Sequence, residues 1–228
     1  MKKKIILIII FILGFSLLIT PVITDRLYNI KVEKLEKEYD KTIKSLDKEK
    51  IRELNELLKE ENKKLYLNKQ VLFTSKEHYL ENATIDLKKY GLEDGIIGFI
   101  EIPSIDIKLP IYLGANNTNM KKGAVHLTGT SYPIGGNNTN SVIAAHRGYY
   151  KTYMFRHINK INIGDILYIK NFNEVIKYKA TKIDIIKPTD LNKLTIKEDK
   201  DMITIISCHP FPYNYQRYSV YFERINNT

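Results

Sequence analysis

The run Ile5–Ile23, IILIIIFILGFSLLITPVI, carries no charge over 19 positions and follows Lys2, Lys3 and Lys4. A helix needs roughly 20 apolar residues to cross about 30 Å of hydrocarbon. Residues 5–23 are therefore expected to be a transmembrane signal-anchor behind a short cytoplasmic N-terminus, residues 1–4. A cleaved signal peptide would have an apolar region of about 7–15 residues ending in a small-residue A-x-A-like site. This run is longer, and Ile19–Thr24 contains no alanine. The lysines hold the N-terminus inside, so a single-pass protein of the cell membrane is expected, with the rest of the chain extracellular. Pro21 is expected to bend or end the helix near its outer end without preventing insertion.

That placement also decides how the net charge of +10 is read. An outward-facing chain rarely meets nucleic acid, and no basic run interleaved with aromatics matches a binding pattern. The lysine excess suits a surface working beside an anionic envelope.

Residues 24–70 are expected to form a charged helical stalk. Between Lys31 and Lys64 the chain is mostly Lys and Glu, with Val32, Leu35, Tyr39, Ile43, Leu46, Leu54, Leu57 and Leu58 at many spacings of three and four. Opposite charges one turn apart support the helix locally. The apolar seam slips between Leu46 and Leu54, which favours a solvated spacer over a coiled coil. Residues 71–94 are weakly patterned and read as a linker or possible lid.

Regular alternation begins near Gly95, and residues 95–228 are expected to fold as the main domain. Ile97–Pro103 and Ile105–Pro110 read as strands punctuated by proline. Ser141–Ala145, Ile166–Lys170, Val175–Pro188, Met202–Ser207 and Tyr218–Ile225 follow. The class is mainly β, an all-β barrel or sandwich with no internal repeat. The sequons at Asn116, Asn137 and Asn226 are read as turn residues.

Cys208 is the one cysteine, so it forms no intramolecular disulfide. It ends the strand-like run Ile203–Ser207, although alternation there does not settle which way the thiol points. A lone cysteine is more often a small buried hydrophobe. Arg217 lies nine residues on, at the start of the next strand, where a cation would favour thiolate and donate to an oxyanion. A thiol nucleophile also needs an acid/base partner, normally histidine. His78 lies in the linker; His126 and His157 sit in amphipathic settings where a structural role is the default. His209 adjoins Cys208, and neighbours on an extended chain face opposite ways. His146 ends the apolar strand Val142–Ala145 and precedes Arg147-Gly148, so two strand ends carrying Cys and His can meet at one rim. A metal site of His146, Cys208 and His209 is the alternative, and its spacing resembles no common zinc pattern.

Thr204-Ile205-Ile206-Ser207-Cys208 with Arg217 resembles the sortase signature T-L-x-T-C followed by arginine. Ala145-His146-Arg147-Gly148 resembles the histidine motif of that family. Gly123–Gly136, Ile97–Pro103 and Asn214 are similar to segments of class C, pilin-polymerising sortases, so the resemblance runs from about Gly95 to Arg224. It implies a sortase-type closed β-barrel with short helices, with His146, Cys208 and Arg217 as catalytic residues and no cofactor or metal. It further implies an L-P-x-T-G-like sorting signal cleaved between Thr and Gly, through a thioacyl-enzyme. The partners implied are surface proteins or pilins bearing that signal, and an amine acceptor from cell-wall peptide or a pilin lysine. His146 precedes Cys208, the reverse of the order in papain-like proteases. Ala145 and Ser207 stand where the family usually has glycine and threonine. No Asp-Pro-aromatic lid motif precedes the domain and no second hydrophobic span follows Arg224, which makes housekeeping cell-wall anchoring the alternative to pilus assembly. A non-catalytic membrane-tethered envelope module is the remaining reading; it predicts an unreactive thiol.

Overall fold

The computed structural model describes residues 2–70, 83–148 and 154–225. Helix α1 spans Lys2–Ser45 and α2 spans Lys48–Leu67. The first part of α1 is long and apolar enough to cross a membrane. Pro21 lies inside α1, so the helix does not end there as expected. Proline removes one amide bond to the preceding turn. The Thr20 hydroxyl donates to the Ser16 carbonyl at 2.7 Å and that of Thr24 to the Pro21 carbonyl at 3.0 Å. Such local side-chain bonds let a spanning helix tolerate the lost amide.

Beyond the apolar run the helices are not the solvated spacer expected from the charge pattern. Val32 and Tyr39 of α1 and Leu54, Leu58 and Asn62 of α2 are buried. Tyr39 packs edge-on against Phe99 at 5.5 Å and its hydroxyl donates to the Ile97 carbonyl. Glu36 receives Lys108 at 3.1 Å and Lys170 at 3.0 Å, while Asp40 receives Lys170 at 2.7 Å. Burial raises the Glu36 pKa, but the two ammonium groups outweigh it and hold the carboxyl below its usual range. The physical reason is the width of the apolar stripe: too narrow and broken for a coiled coil, it still docks single helices on a sheet. The break falls where the seam slips. Asp47 caps α2, its carboxylate accepting from the Glu49 amide at 2.9 Å.

Among the described residues there are eight strands: β1 Ile96–Ile102, β2 Ile107–Leu113, β3 Ala124–His126, β4 Thr139–Ala144, β5 Ile166–Asn171, β6 Val175–Ile186, β7 Asp201–His209 and β8 Gln216–Arg224. A one-turn helix α3, Asn117–Met120, precedes β3 and is capped by the Asn116 side chain. The strands close in the order β1-β2-β3-β4-β7-β8-β6-β5. Pairs β2–β3 and β4–β7 are parallel; the other six are antiparallel. Ile100, Ile169, Ile203, Ile205, Val220 and Phe222 belong to the buried core.

Before β1, Leu87 and Leu92 are buried and the Thr84 and Tyr132 hydroxyls meet at 2.8 Å. The remainder of the expected linker or lid, 71–82, lies outside the described residues, and His78 with it.

Candidate active site

The pairing of β4 with β7 ends at Ala144 opposite Ile206. His146 and Cys208 each lie two residues further on, so the two parallel chains carry them past the last pair in step. On the other side of β7, Cys208 is the direct antiparallel partner of Arg217. Side chains two apart on a strand, and direct partners across strands, share a face. The sequence candidates His146, Cys208 and Arg217 therefore come to adjacent positions at one end of three neighbouring strands.

The register also settles the thiol's direction. Ile203 and Ile205 pair with Phe222 and Val220, and all four are buried in the core. Cys208 has the parity of Thr204 and Ile206 instead, and its side chain is half-buried at the strand end. Thr204 is anchored by donating to the Asn140 side chain at 2.8 Å.

Two cross-strand bridges bracket His146. The Ser207 hydroxyl donates to the Ala145 carbonyl at 2.8 Å. The Arg147 guanidinium donates to the Cys208 carbonyl at 3.3 Å and to His209 Nδ1 at 2.8 Å. Arg147 is buried and lies over the Tyr218 ring at 5.6 Å. Burial lowers its pKa, an effect opposed by Tyr218 and Cys208. Sequence reasoning gave Arg147 no role; the only available signal was its place between the histidine and Gly148. That glycine adopts φ +96°, and a Cβ there would stand 3.0 Å from Arg156 Nε. The turn brings the chain back so that the Phe155 amide donates to the His146 carbonyl at 3.0 Å.

The other histidines separate cleanly. His209 faces Arg147 and Tyr218, away from the thiol's parity, and with Arg147 donating to Nδ1 its proton sits on Nε2. Burial and then the Arg147 charge lower its pKa. A cation on Nδ1 and the opposite orientation both argue against a metal shared by His209 and Cys208. His126 is 2% exposed, bonded through Nε2 to the Thr130 and Ser131 segment at 3.0–3.2 Å, and stacked on Tyr132. Burial pushes its pKa down to about 4. His157 shares a hollow with Asp25 and Tyr28 of α1. Partial burial holds His146 below the usual imidazole range.

Arg217 donates through NH1 to the carbonyls of Asn214 at 2.6 Å and Gln216 at 2.9 Å. NH1 is thus held by one carbonyl of the β7–β8 loop and one from the first residue of β8, while the backbone register pairs Arg217 with Cys208. The arrangement presents a nucleophile, an imidazole and a planar cation at one rim, a combination suited to acyl transfer.

Residues 100–225 match the Sortase domain family. The chain is 32% identical to sortase A of Staphylococcus aureus over 51% of its own length and 56% of that protein's. It spans less than two thirds of the length of the curated relatives it matches. Among solved structures, sortase C-1 of Streptococcus pneumoniae superposes with a TM-score of 0.74 at 33% identity, covering 84% of this chain and 97% of that one. A sortase C1 of GBS pilus island 1 gives 0.73 at 30%, covering 83% and 96%. The matched segment takes in the whole rim built above, and the chain belongs to the sortase family.

Proposed function

We propose that the protein is a membrane-anchored cysteine transpeptidase, held in the cell membrane by α1 with its N-terminus inside and the barrel outside. The observation carrying this is the strand register that sets His146, Cys208 and Arg217 side by side. The Cys208 thiolate adds to the Thr carbonyl of an L-P-x-T-G-like signal, and Arg217 donates to the oxyanion. The C–N bond to Gly breaks as His146, as imidazolium, gives its proton to the leaving amine, and a thioester remains on Cys208. An incoming amine attacks that thioester and His146 takes its proton. The C–S bond then breaks and releases thiolate. Likeness to a pilus-island sortase favours pilus assembly with a pilin lysine as acceptor; likeness to sortase A favours attachment to cell-wall peptide.

The test is intact-protein mass spectrometry after incubation with a panel of such peptides. A mass increase matching the fragment ending in Thr supports the reading. No adduct with any peptide, on a folded protein whose thiol still alkylates, counts against it.

A further inference from the structure

The barrel has two ends, and the direction of α1 decides which one meets the bilayer. Working round the closed sheet, the pairings make β1, β4, β6 and β7 all run the same way. Ile102, Ala144, Ile186 and His209 therefore finish at one end, the end that carries Cys208. Helix α1 runs against β1. Tyr39 meets Ile97 and Phe99 near the start of the strand. Val32 shares a hollow with Pro103 and Asp106, just past its finish. Asp25 and Tyr28 share another with Ile105, Met154 and His157. Following α1 toward its N-terminus thus leads to the catalytic end. A second path agrees: next to His157, Arg156 lies 5.3 Å over Phe211, in the loop that directly follows the cysteine strand.

The distance along α1 is short. Asp25 and Tyr28 come two and five residues after Ile23, about 3 and 7.5 Å at the helical rise of 1.5 Å per residue. Headgroups add roughly 5–8 Å on each side of the hydrocarbon. The barrel therefore touches α1 at headgroup level, and the end it presents there is the rim.

We infer that this rim docks on the lipid headgroup layer of the bilayer that α1 crosses. The β7–β8 loop and the approach to β5 form the contact. Side chains at this end suit the role. Phe211, Tyr213 and Tyr215 project from the loop, each more than half exposed, and Ile163 is 60% exposed ahead of β5. Leu27 and Ile30 are exposed on α1 at the same level. Tyrosines placed this way sit well between hydrocarbon and water, while Arg156 and Lys160 can meet anionic headgroups. A site held here is served by acyl donors tethered to the same membrane, whose effective concentration a soluble peptide does not reach.

This inference rests on α1 being the anchor, and the experiment separates the two. Full-length protein in the Cys208→Ala background receives one new cysteine at Leu13, Leu27, Tyr213 or Val175. Each variant is labelled with an environment-sensitive fluorophore and placed in phosphatidylglycerol-containing vesicles. Quenchers are lipids with nitroxide at the headgroup or deep in the acyl chain. Val175 lies beside Glu36, about 16 Å further along α1 than Asp25. The expected result is headgroup quenching at Tyr213 as strong as at Leu27, deep quenching at Leu13, and none at Val175. Deep quenching at Leu13 with Tyr213 as bright as Val175 overturns the docking and leaves the anchor standing; the aromatic loop would then serve a soluble peptide or protein. No quenching at Leu13 removes the anchor and the inference together.

Discussion

His126 and His146 lie on neighbouring chains of one sheet, and they have opposite environments. His126 is enclosed in β3, bonded to the Thr130–Ser131 segment and stacked on Tyr132. His146 lies just past the end of β4, half-buried, between the Ser207–Ala145 and Arg147–Cys208 bridges. A buried histidine whose ring is occupied by hydrogen bonds maintains the fold. One left at a strand end beside a thiol can move a proton. The barrel thus separates two identical side chains by where each strand stops.

The sharpest way to break that comparison is to remove the nucleophile. Cys208→Ala is expected to abolish the thioacyl adduct in intact mass measurements with no change in the thermal melting midpoint. Next, His146→Ala should lower the rate of acyl-enzyme formation by about 10²–10⁴-fold, the span typical of a general acid/base. His126→Ala should leave the rate per folded molecule nearly intact and lower the melting midpoint instead. The reverse ranking would exchange the two roles.

Acid titration probes the enclosed histidine most strongly, since His126 is lowered further than the partly buried His146 and His209. The folded-state pKa of His126 is about 4 and the unfolded value 6.5. Below pH 6.5 the unfolded chain binds a proton that the folded chain refuses until about pH 4, so stability falls as pH drops through that window. The full difference corresponds to about 3 kcal/mol. Urea denaturation at pH 7, 5.5 and 4 should reveal it, and a His126→Gln variant should show a flatter profile over the same range.

Smaller effects test the surroundings of the open site. Arg217→Lys keeps the charge but loses the planar guanidinium that now donates to the Asn214 and Gln216 carbonyls, and kcat/KM is expected to drop at least about tenfold. Arg147→Met removes the bridge to Cys208 and His209 while retaining bulk. A loss of about tenfold in kcat/KM is expected, the size of a lost charged hydrogen bond. Because Arg147 acts through backbone placement, cysteine alkylation should stay close to that of the parent protein.

The helices bear on truncation as well. Removing 1–70 to obtain a soluble barrel takes away Val32, Tyr39, Leu54 and Leu58, each buried and worth roughly 1.5–3 kcal/mol. Such a fragment should melt earlier than one starting near Asp25.

The residues of the candidate site could be picked out because their signals are local. A single cysteine at the end of an apolar alternating run, and a histidine at the end of another, each mark a strand that stops at a rim. The hydrophobic run Ile5–Ile23 needs only its own length and lack of charge to be read as a span. Seven strand segments followed from alternation and turn punctuation, while the three-residue β3 was too short to show a period. The slip between Leu46 and Leu54, in the sequence a sign of a spacer, falls at the helix break before Lys48. What the sequence could not supply was pairing. Nothing within Val142–Ala145 or Ile203–Ser207 says that these strands lie parallel and in step, and only that register brings His146 beside Cys208. Arg147 escaped notice for the same reason, since its partners are 61 and 62 residues away. The charged helices were misread because a stripe of Val32, Tyr39, Leu54 and Leu58 has the same period whether it faces water or a barrel. Local order is written in periodicity and composition; which surfaces meet depends on closure of the sheet, a property of the whole chain.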